Sequence, residues 1–400
     1  MSTRNSIIEN TIALWSEPHT SGPSMRAILK KSAITAPALY HHFDSLQHLY
    51  AEAHEHAFAS ASTWFGARLD ELLVGPELGP HALPALMAEL IDRWCNECRH
   101  LAFVRLECLL DAARQGQPTD LATRWEYLWR DAWQTIAARC GMGAAGQGTG
   151  AVAAGLSLSH LIRVRPTIDR CCVEETSRGW VNWVLGKQAG DEQWHCFALH
   201  ATERESTPIE RPDGKALPLA EAAAQLLIEK GGGEVTHRSV AQKAGVSTGA
   251  VAHYFRTAND LMQGAFAVIY WQSLTRARNA VGASPSDKKT LSLMTVFNPP
   301  GPDWWSAIGW LEFHLAVARD SAFKAIDPQL RYRGGHMSKR FLECLLPSGA
   351  TPTQTDKALF SNWVFGTRTQ IAAKTASPDF YRENTQWLIK LLSGMARPGE

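Results

Sequence analysis

The residues best suited to chemistry lie in a short segment that occurs twice, 212 positions apart. The first copy spans residues 24–43 and the second spans residues 236–255, and the two align without a gap. Each copy has an arginine near its start, Arg26 or Arg238, and a histidine near its end, His41 or His253. Cationic and hydroxyl side chains of this kind donate hydrogen bonds to phosphate oxygens and to base edges. The repeat therefore indicates nucleic-acid binding rather than catalysis.

The elements that must position these residues are two short helices joined by a tight turn. Ser24 and Thr236 are suited to cap the first helix of each copy, and Thr35 and Ser247 are suited to cap the second. The turn falls at residues 33–34 and 245–246. Gly245 fits a left-handed turn position, whereas Ala33 in the same place costs about 1 kcal/mol.

This arrangement is a helix-turn-helix, in which the start of the second helix enters the major groove of DNA. An ordinary structural helix pair is the alternative for one copy alone, but two aligned copies favour a DNA-binding role. The residues predicted to contact DNA are Ser24, Arg26, Thr35, Ala36, Pro37, Tyr40, His41, Thr236, Arg238, Ser247, Thr248, Gly249, His253 and Tyr254.

Length and charge agree with this prediction without deciding it. The 400 residues divide at the repeat into two halves of about 200, each long enough to bury its own core. The net charge is only +1, but residues 18–43 and residues 230–256 each carry +3. We find no apolar run long enough to span a bilayer and no signal-peptide core, so we expect a cytoplasmic protein.

Other motifs with chemical potential are weak. Residues 141–146 match G-x-G-x-x-G, but they follow a helical segment instead of a strand, so a nucleotide site is rejected. Cys95 and Cys98 have metal-ligand spacing without a second pair to complete a zinc site. We therefore expect no metal, no cofactor and no catalytic group. His100, Glu107, His160 and His314 are isolated among apolar residues.

Helical periodicity covers the rest of the chain, and strand signals are nearly absent, so the predicted fold is all-α. Four apolar stripes stand out: residues 121–136, 180–185, 359–371 and 387–392. Residues 282–287 and 298–302 interrupt the second half with glycine, proline and polar residues.

At the repeated segment the chain resembles the TetR family of bacterial one-component regulators, over residues 8–50 and 220–262. The resemblance implies two units, each a three-helix DNA-binding domain followed by an all-helical effector and dimerisation domain. We expect DNA-binding domains at 1–50 and 214–262, effector domains at 51–190 and 263–400, and a linker at 191–213.

The first copy departs from the family pattern. Members usually have glycine at the turn and again early in the second helix, where this copy has Ala33 and Pro37. The aromatic residue that touches phosphate is kept as Tyr40 but is lost at Ala252, which leaves Tyr254 as its substitute. The lysine common at the start of the fourth helix is replaced by Leu46 and Ala258. These departures imply fewer phosphate contacts, and one copy that binds DNA poorly.

TetR-like proteins pair two identical subunits through their last helices. Here both halves of such a dimer lie in one chain, so we expect an intramolecular pseudo-dimer, with residues 121–136 and 152–185 packed against 357–371 and 380–392. The unlike second helices predict a non-palindromic operator. A homodimer with four DNA-binding helices is the alternative.

Tryptophan is abundant, at 15 residues, and most of these side chains are expected in the core. Some could line a pocket for a small hydrophobic or aromatic effector, whose binding would release a repressor from DNA. The candidate pocket residues are Arg105, Trp125, Tyr127, Trp129, His160 and Arg163. Two other functions stay open: a protein-interaction module whose DNA-binding helices have degenerated, and an enzyme, for which the sequence offers no catalytic constellation.

Overall fold

The computed structural model describes residues 3–18, 22–190, 192–205, 208–282, 305–333, 338–375 and 377–395. These residues form helices and connecting turns, with no strand among them, so the prediction of an all-helical fold is confirmed. Most of the predicted interruption at 282–287 and all of that at 298–302 lie outside the described residues.

The first half begins with three short helices and continues into a long one. In chain order its helices are α1 (Thr3–Leu14), α2 (Met25–Ser32), α3 (Ala36–His42), α4 (Leu46–Leu73), α5 (Leu83–Asn96), α6 (Arg99–Gln115), α7 (Asp120–Arg139), α8 (Gly146–His160) and α9 (Pro166–Val184). A further helix, α10 (Gln193–Glu205), follows before the second half begins.

The second half repeats the order of short helices followed by a long one. Its described helices are α11 (Ala216–Lys230), α12 (His237–Ala244), α13 (Thr248–Tyr254), α14 (Ala258–Gly282), α15 (Trp305–Arg319), α16 (Asp327–Tyr332), α17 (Ser338–Leu345), α18 (Gln354–Ala372) and α19 (Pro378–Ser393).

The spacing of 212 positions extends beyond the sequence motif. Helices α2 and α3 differ from α12 and α13 by 212 at both ends. The same offset relates the first residues of α4 and α14, the last residues of α8 and α18, and the first residues of α9 and α19. The helical frame of the two halves therefore corresponds at their beginnings and at their ends.

The two halves pack against each other through their last helices. Helix α8 crosses α18 at close range, and α9 contacts both α18 and α19. Gly155 of α8 lies directly against the backbone of Asn362, and Gly366 of α18 lies against the carbonyl of Ala151. Glycine at both positions lets the two backbones approach, because a side chain at either would overlap a carbonyl oxygen.

The predicted apolar stripes mostly face this core. Trp125, Trp129, Trp180 and Trp363 are at most 2% exposed. Leu185, at the end of the second stripe, is 45% exposed. Helix α7, which contains the 121–136 stripe, packs mainly on α4, α6 and α8 within its own half. Its side chains reach the second half through Glu126, which accepts a hydrogen bond from Gln370.

The segment predicted as a linker, 191–213, contains α10, which packs on α9 and α16. The carboxylate of Glu175 accepts hydrogen bonds from the backbone N–H groups of Trp194 and His195, at 3.1 and 2.9 Å. An anion at a helix N-terminus stabilises the helix. This cap comes from a residue about 20 positions earlier, so the local sequence gave no sign of it.

Candidate DNA-binding surface

Each half presents a compact three-helix unit at its start. We call α1–α3 the first head and α11–α13 the second head. Ile28, Leu39 and Phe43 are buried in the first head, and their counterparts Val240, Val251 and Phe255 are buried in the second. The residues predicted to point inward therefore do so in both heads.

Three of the four predicted helix caps are confirmed. The Ser24 hydroxyl accepts a hydrogen bond from the N–H of Ala27, that of Thr236 accepts one from Ser239, and that of Ser247 accepts one from Ala250. The prediction for Thr35 is wrong, because its side chain makes no capping hydrogen bond to α3. The proline at position 37 lies in the first turn of α3, where one backbone donor is therefore missing.

The turn between the two helices has the same backbone conformation in both heads. Gly245 adopts φ 69° and ψ 32°, and Ala33 adopts φ 52° and ψ 42°. Both values lie in the left-handed region, which glycine enters freely and alanine does not. The first head therefore forms the predicted turn in spite of an unfavourable residue.

The residues predicted to contact DNA are accessible in both heads. Thirteen of the fourteen residues are exposed, and Ala36 is half-buried. Tyr40 is 48% exposed and Tyr254 is 41% exposed, which is high for large aromatic side chains. The exposed ring of Tyr254 stands edge-on to that of His253, with the ring centroids 4.9 Å apart. Both heads thus offer hydroxyl, imidazole and guanidinium groups to a partner.

The positive charge of each head is smaller than the sequence segments indicated. Lys31 pairs with Glu17 at 2.6 Å, and Lys243 pairs with Glu229 at 2.9 Å. Each glutamate lies one position before the segment whose charge was counted, so the count missed it. The two ion pairs are also separated by 212 positions, and they join α2 to the end of α1 and α12 to α11. The exposed cations Arg26 and Lys30 are then the larger part of the charge on the first head.

Of the six residues predicted for an effector pocket, three form a buried cluster. Arg105 is 2% exposed, forms an ion pair with Glu126 at 3.3 Å, and lies 4.2 Å from the centroid of the Trp129 ring. Burial lowers the pKa of Arg105 and raises that of Glu126. The Trp125 ring packs against Phe58, with the ring centroids 5.3 Å apart. These contacts are those of a packed core.

The other three residues lie elsewhere. Tyr127 is 51% exposed beside Arg130. His160 is fully buried, and its Nε2 lies 2.7 Å from the carboxylate of Asp92, which Arg163 also contacts at 3.1 Å. Arg331 of the second half donates to Nδ1 of His160 at 2.8 Å. Burial lowers the pKa of His160 to about 4, so the imidazole is neutral and joins the two halves.

Cys95 and Cys98 do not assemble a metal site with other residues. No group of three or more metal-binding side chains occurs within the described ranges. Cys95 is buried, and its thiol contacts the backbone carbonyl of Ser157 at 3.4 Å. Burial raises the pKa of both thiols to about 11.

The comparison with known families falls on the second head. Residues 219–265 match the family model described as bacterial regulatory proteins, tetR family. The match supports a TetR-family DNA-binding regulator.

The matched residues run from α11 into the first turns of α14, so they contain the whole helix-turn-helix of the second head. The first head lies outside the matched residues, in agreement with its departures at Ala33 and Pro37. No curated protein matches the chain. No helix in the described part of the chain is both long enough and apolar enough to cross a membrane.

Proposed function

We propose that the chain is a DNA-binding transcriptional regulator built from two fused TetR-like units. The observation that supports this most directly is the pair of heads, in which α3 and α13 lie 212 positions apart and both have exposed outer residues. A helix-turn-helix reads DNA by placing such a helix in the major groove. Two heads in one chain supply the two half-site contacts that a symmetric regulator obtains from two subunits.

The fused pseudo-dimer is the second part of the proposal. It is supported by the contact of α8 and α9 with α18 and α19, which lie at corresponding places in the two halves. Fusion removes the translational entropy lost when separate subunits associate. It also lets the two heads diverge, so the operator is non-palindromic.

The two recognition helices offer different chemistry to base edges. Helix α13 begins with the hydroxyl of Thr248, which can hydrogen-bond to a base, whereas α3 begins with the methyl group of Ala36, which suits the methyl of thymine. Each head therefore selects a different half-site. We further propose that the chain acts as a repressor released by a small effector.

A protein-interaction module is the second candidate function. It is favoured by the first head, where Ala33 strains the turn, Thr35 does not cap α3 and Pro37 removes a backbone donor. A head that no longer binds DNA would tolerate such changes.

Fluorescence anisotropy of a labelled random-sequence duplex, titrated with the purified chain at several salt concentrations, tests the DNA-binding role. A regulator shows binding that weakens steeply with salt, because phosphate contacts release counterions. Tyr254→Ala should weaken binding to all duplexes about equally, whereas Thr248→Ala should change sequence preference. Absent or salt-insensitive binding would leave the interaction module as the better account.

A further inference from the structure

A cavity of about 590 Å³ lies between the two heads. It is lined by the end of α1, by α4 and α6 of the first half, and by the α11–α12 connection, the start of α14 and the end of α15 of the second half. A cavity of this volume accommodates a drug-sized molecule. None of the six residues predicted for an effector pocket is among its lining residues.

The lining residues include four pairs that are 212 positions apart. These pairs are Pro18 with Lys230, Tyr50 with Met262, Glu107 with Arg319, and Asp111 with Phe323. Residues at equivalent positions of the two halves can line the same cavity only if the cavity lies between the halves. The cavity is therefore lined by corresponding positions of the two halves.

Glu107 and Arg319 occupy equivalent positions in the two halves but carry opposite charges. Their side chains form an ion pair at 2.5 Å, and Arg319 also donates to the backbone carbonyl of Trp15 at 2.9 Å. In a symmetric dimer, the same position would place two like charges together across the axis. With unlike residues the position instead links α6 of one half to α15 of the other.

Acidic side chains outnumber basic ones in the cavity. Arg319 pairs with Glu107, and Arg114 pairs with Glu312. The lining also contains the carboxylates of Asp111 and Asp320 and the ammonium group of Lys230, which is exposed at the rim. Asp111 shares Arg114 at 3.5 Å, and Asp320 caps the short 3₁₀ turn Ser321–Phe323.

Aromatic rings form the wall next to these carboxylates. Trp15 lies 5.5 Å from Tyr50 and 4.8 Å from His54, measured between ring centroids. Nδ1 of His54 is buried and makes no hydrogen bond to the described residues. Burial lowers the pKa of His54, so its neutral ring can accept a hydrogen bond. Aromatic faces, together with one carboxylate in excess of the basic side chains, favour a cation.

We propose that this cavity binds a small apolar cation, such as an aromatic or quaternary amine, and that the ligand sets the separation of the two heads. The proposal rests on the DNA-binding function proposed above. A ligand in the cavity contacts the first head at Trp15 and Pro18 and the second head between Lys230 and Val235. The ligand therefore contacts both heads directly and stabilises one distance between them. An operator that requires a different distance between the heads is then bound less tightly.

Isothermal titration of the full-length chain tests the site with two probes of the same shape and opposite charge. The cation is tetraphenylphosphonium and the anion is tetraphenylborate. We expect the cation to bind with one site per chain and the anion to bind at least tenfold more weakly. Asp111→Asn should weaken cation binding about fivefold, whereas Asp131→Asn, a matched change on the exposed side of α7, should leave it unchanged.

A second pair of variants tests the location. Ala322→Trp places a large ring at the exposed edge of the cavity and should abolish cation binding, whereas Ala59→Trp on the exposed face of α4 should not. Circular dichroism of each variant shows whether the helices are retained. No binding of the cation, equal binding of the two probes, or binding that neither Asp111→Asn nor Ala322→Trp weakens would overturn the proposal.

DNA binding, measured separately by anisotropy, distinguishes this inference from the proposed function. Saturating tetraphenylphosphonium should lower the affinity of the chain for duplex DNA at least fivefold, and the change should disappear in Ala322→Trp. DNA binding that the bound cation leaves unchanged would overturn the control of head separation. A chain that binds the cation but no DNA would refute the proposed function and leave the cavity as a ligand site.

Discussion

At the scale of single residues, the two heads differ most clearly at the turn. Ala33 occupies a left-handed conformation that Gly245 occupies in the second head. Replacing Ala33 by glycine removes the contact between Cβ and the backbone, and it should raise the free energy of unfolding by about 0.5–1 kcal/mol. The matched change Ala59→Gly, in the interior of α4, should lower it by about 1 kcal/mol. Urea denaturation checks both, and a loss of stability in Ala33→Gly would contradict the assigned backbone conformation.

Buried histidines make stability depend on pH. Burial lowers the pKa of His160 and of His314 to about 4, from an ordinary value of 6.5. The unfolded chain therefore binds protons more readily than the folded chain between these values. The stability that each neutral imidazole contributes is complete above pH 6.5 and is lost as the pH falls toward 4.

For each of the two histidines, the free energy of unfolding should fall by about 2 kcal/mol between pH 7 and pH 5, because the unfolded chain takes up the proton that the buried imidazole does not. Urea denaturation at the two pH values measures the total loss, and His314→Asn should reduce that loss by about 2 kcal/mol. An equal loss in the variant and in the unchanged chain would show that His314 titrates in the same way when folded and unfolded.

The sequence predicted the turns and three of the four helix caps of the heads, whereas it did not predict the cavity between them. Caps, turns and inward-pointing residues depend on neighbours within a few positions, so Ser24, Thr236 and Ser247 could be assigned from spacing alone. A pocket depends on which distant helices meet. Arg105 and Trp129 are surrounded by core contacts, whereas Trp15, His54 and Arg319 reach a common cavity from the turn after α1, from α4 and from the end of α15.

At the scale of elements, the crossing of α8 and α18 joins the halves. A Cβ at position 155 would lie 1.9 Å from the carbonyl oxygen of Asn362, closer than any real contact. Gly155→Ala should therefore lower the free energy of unfolding by about 2–3 kcal/mol. Gly66→Ala, on α4 with no atom nearby, should raise it by about 0.5–1 kcal/mol. Urea denaturation compares the two, and a neutral Gly155→Ala would contradict the close crossing.

Helix periodicity predicted which stripes are buried but not always their partners. The stripe on α7 was expected to face the second half, and it packs mainly within its own half because α8 lies between α7 and α18. Residues 191–213 were predicted as a linker, and they contain α10. The first turn of α10 is capped by Glu175 from α9, a contact that no local pattern contains.

At the scale of the whole molecule, the proposed pseudo-dimer uses the packing of α8 and α9 on α18 and α19 in place of an interface between two subunits. The chain mass is 44.1 kDa. Multi-angle light scattering of the purified chain should give this mass across the elution peak. A mass near twice that value would support a homodimer with four heads.

Selection of bound DNA from a random pool by the purified full-length chain tests the central claim most directly. The account predicts a recovered site with two unlike half-sites, one for α3 and one for α13, at a fixed spacing. It also predicts that Thr248→Ala changes the sequence of one half-site only. A palindromic site, or no enrichment even at low salt, would contradict the fused regulator.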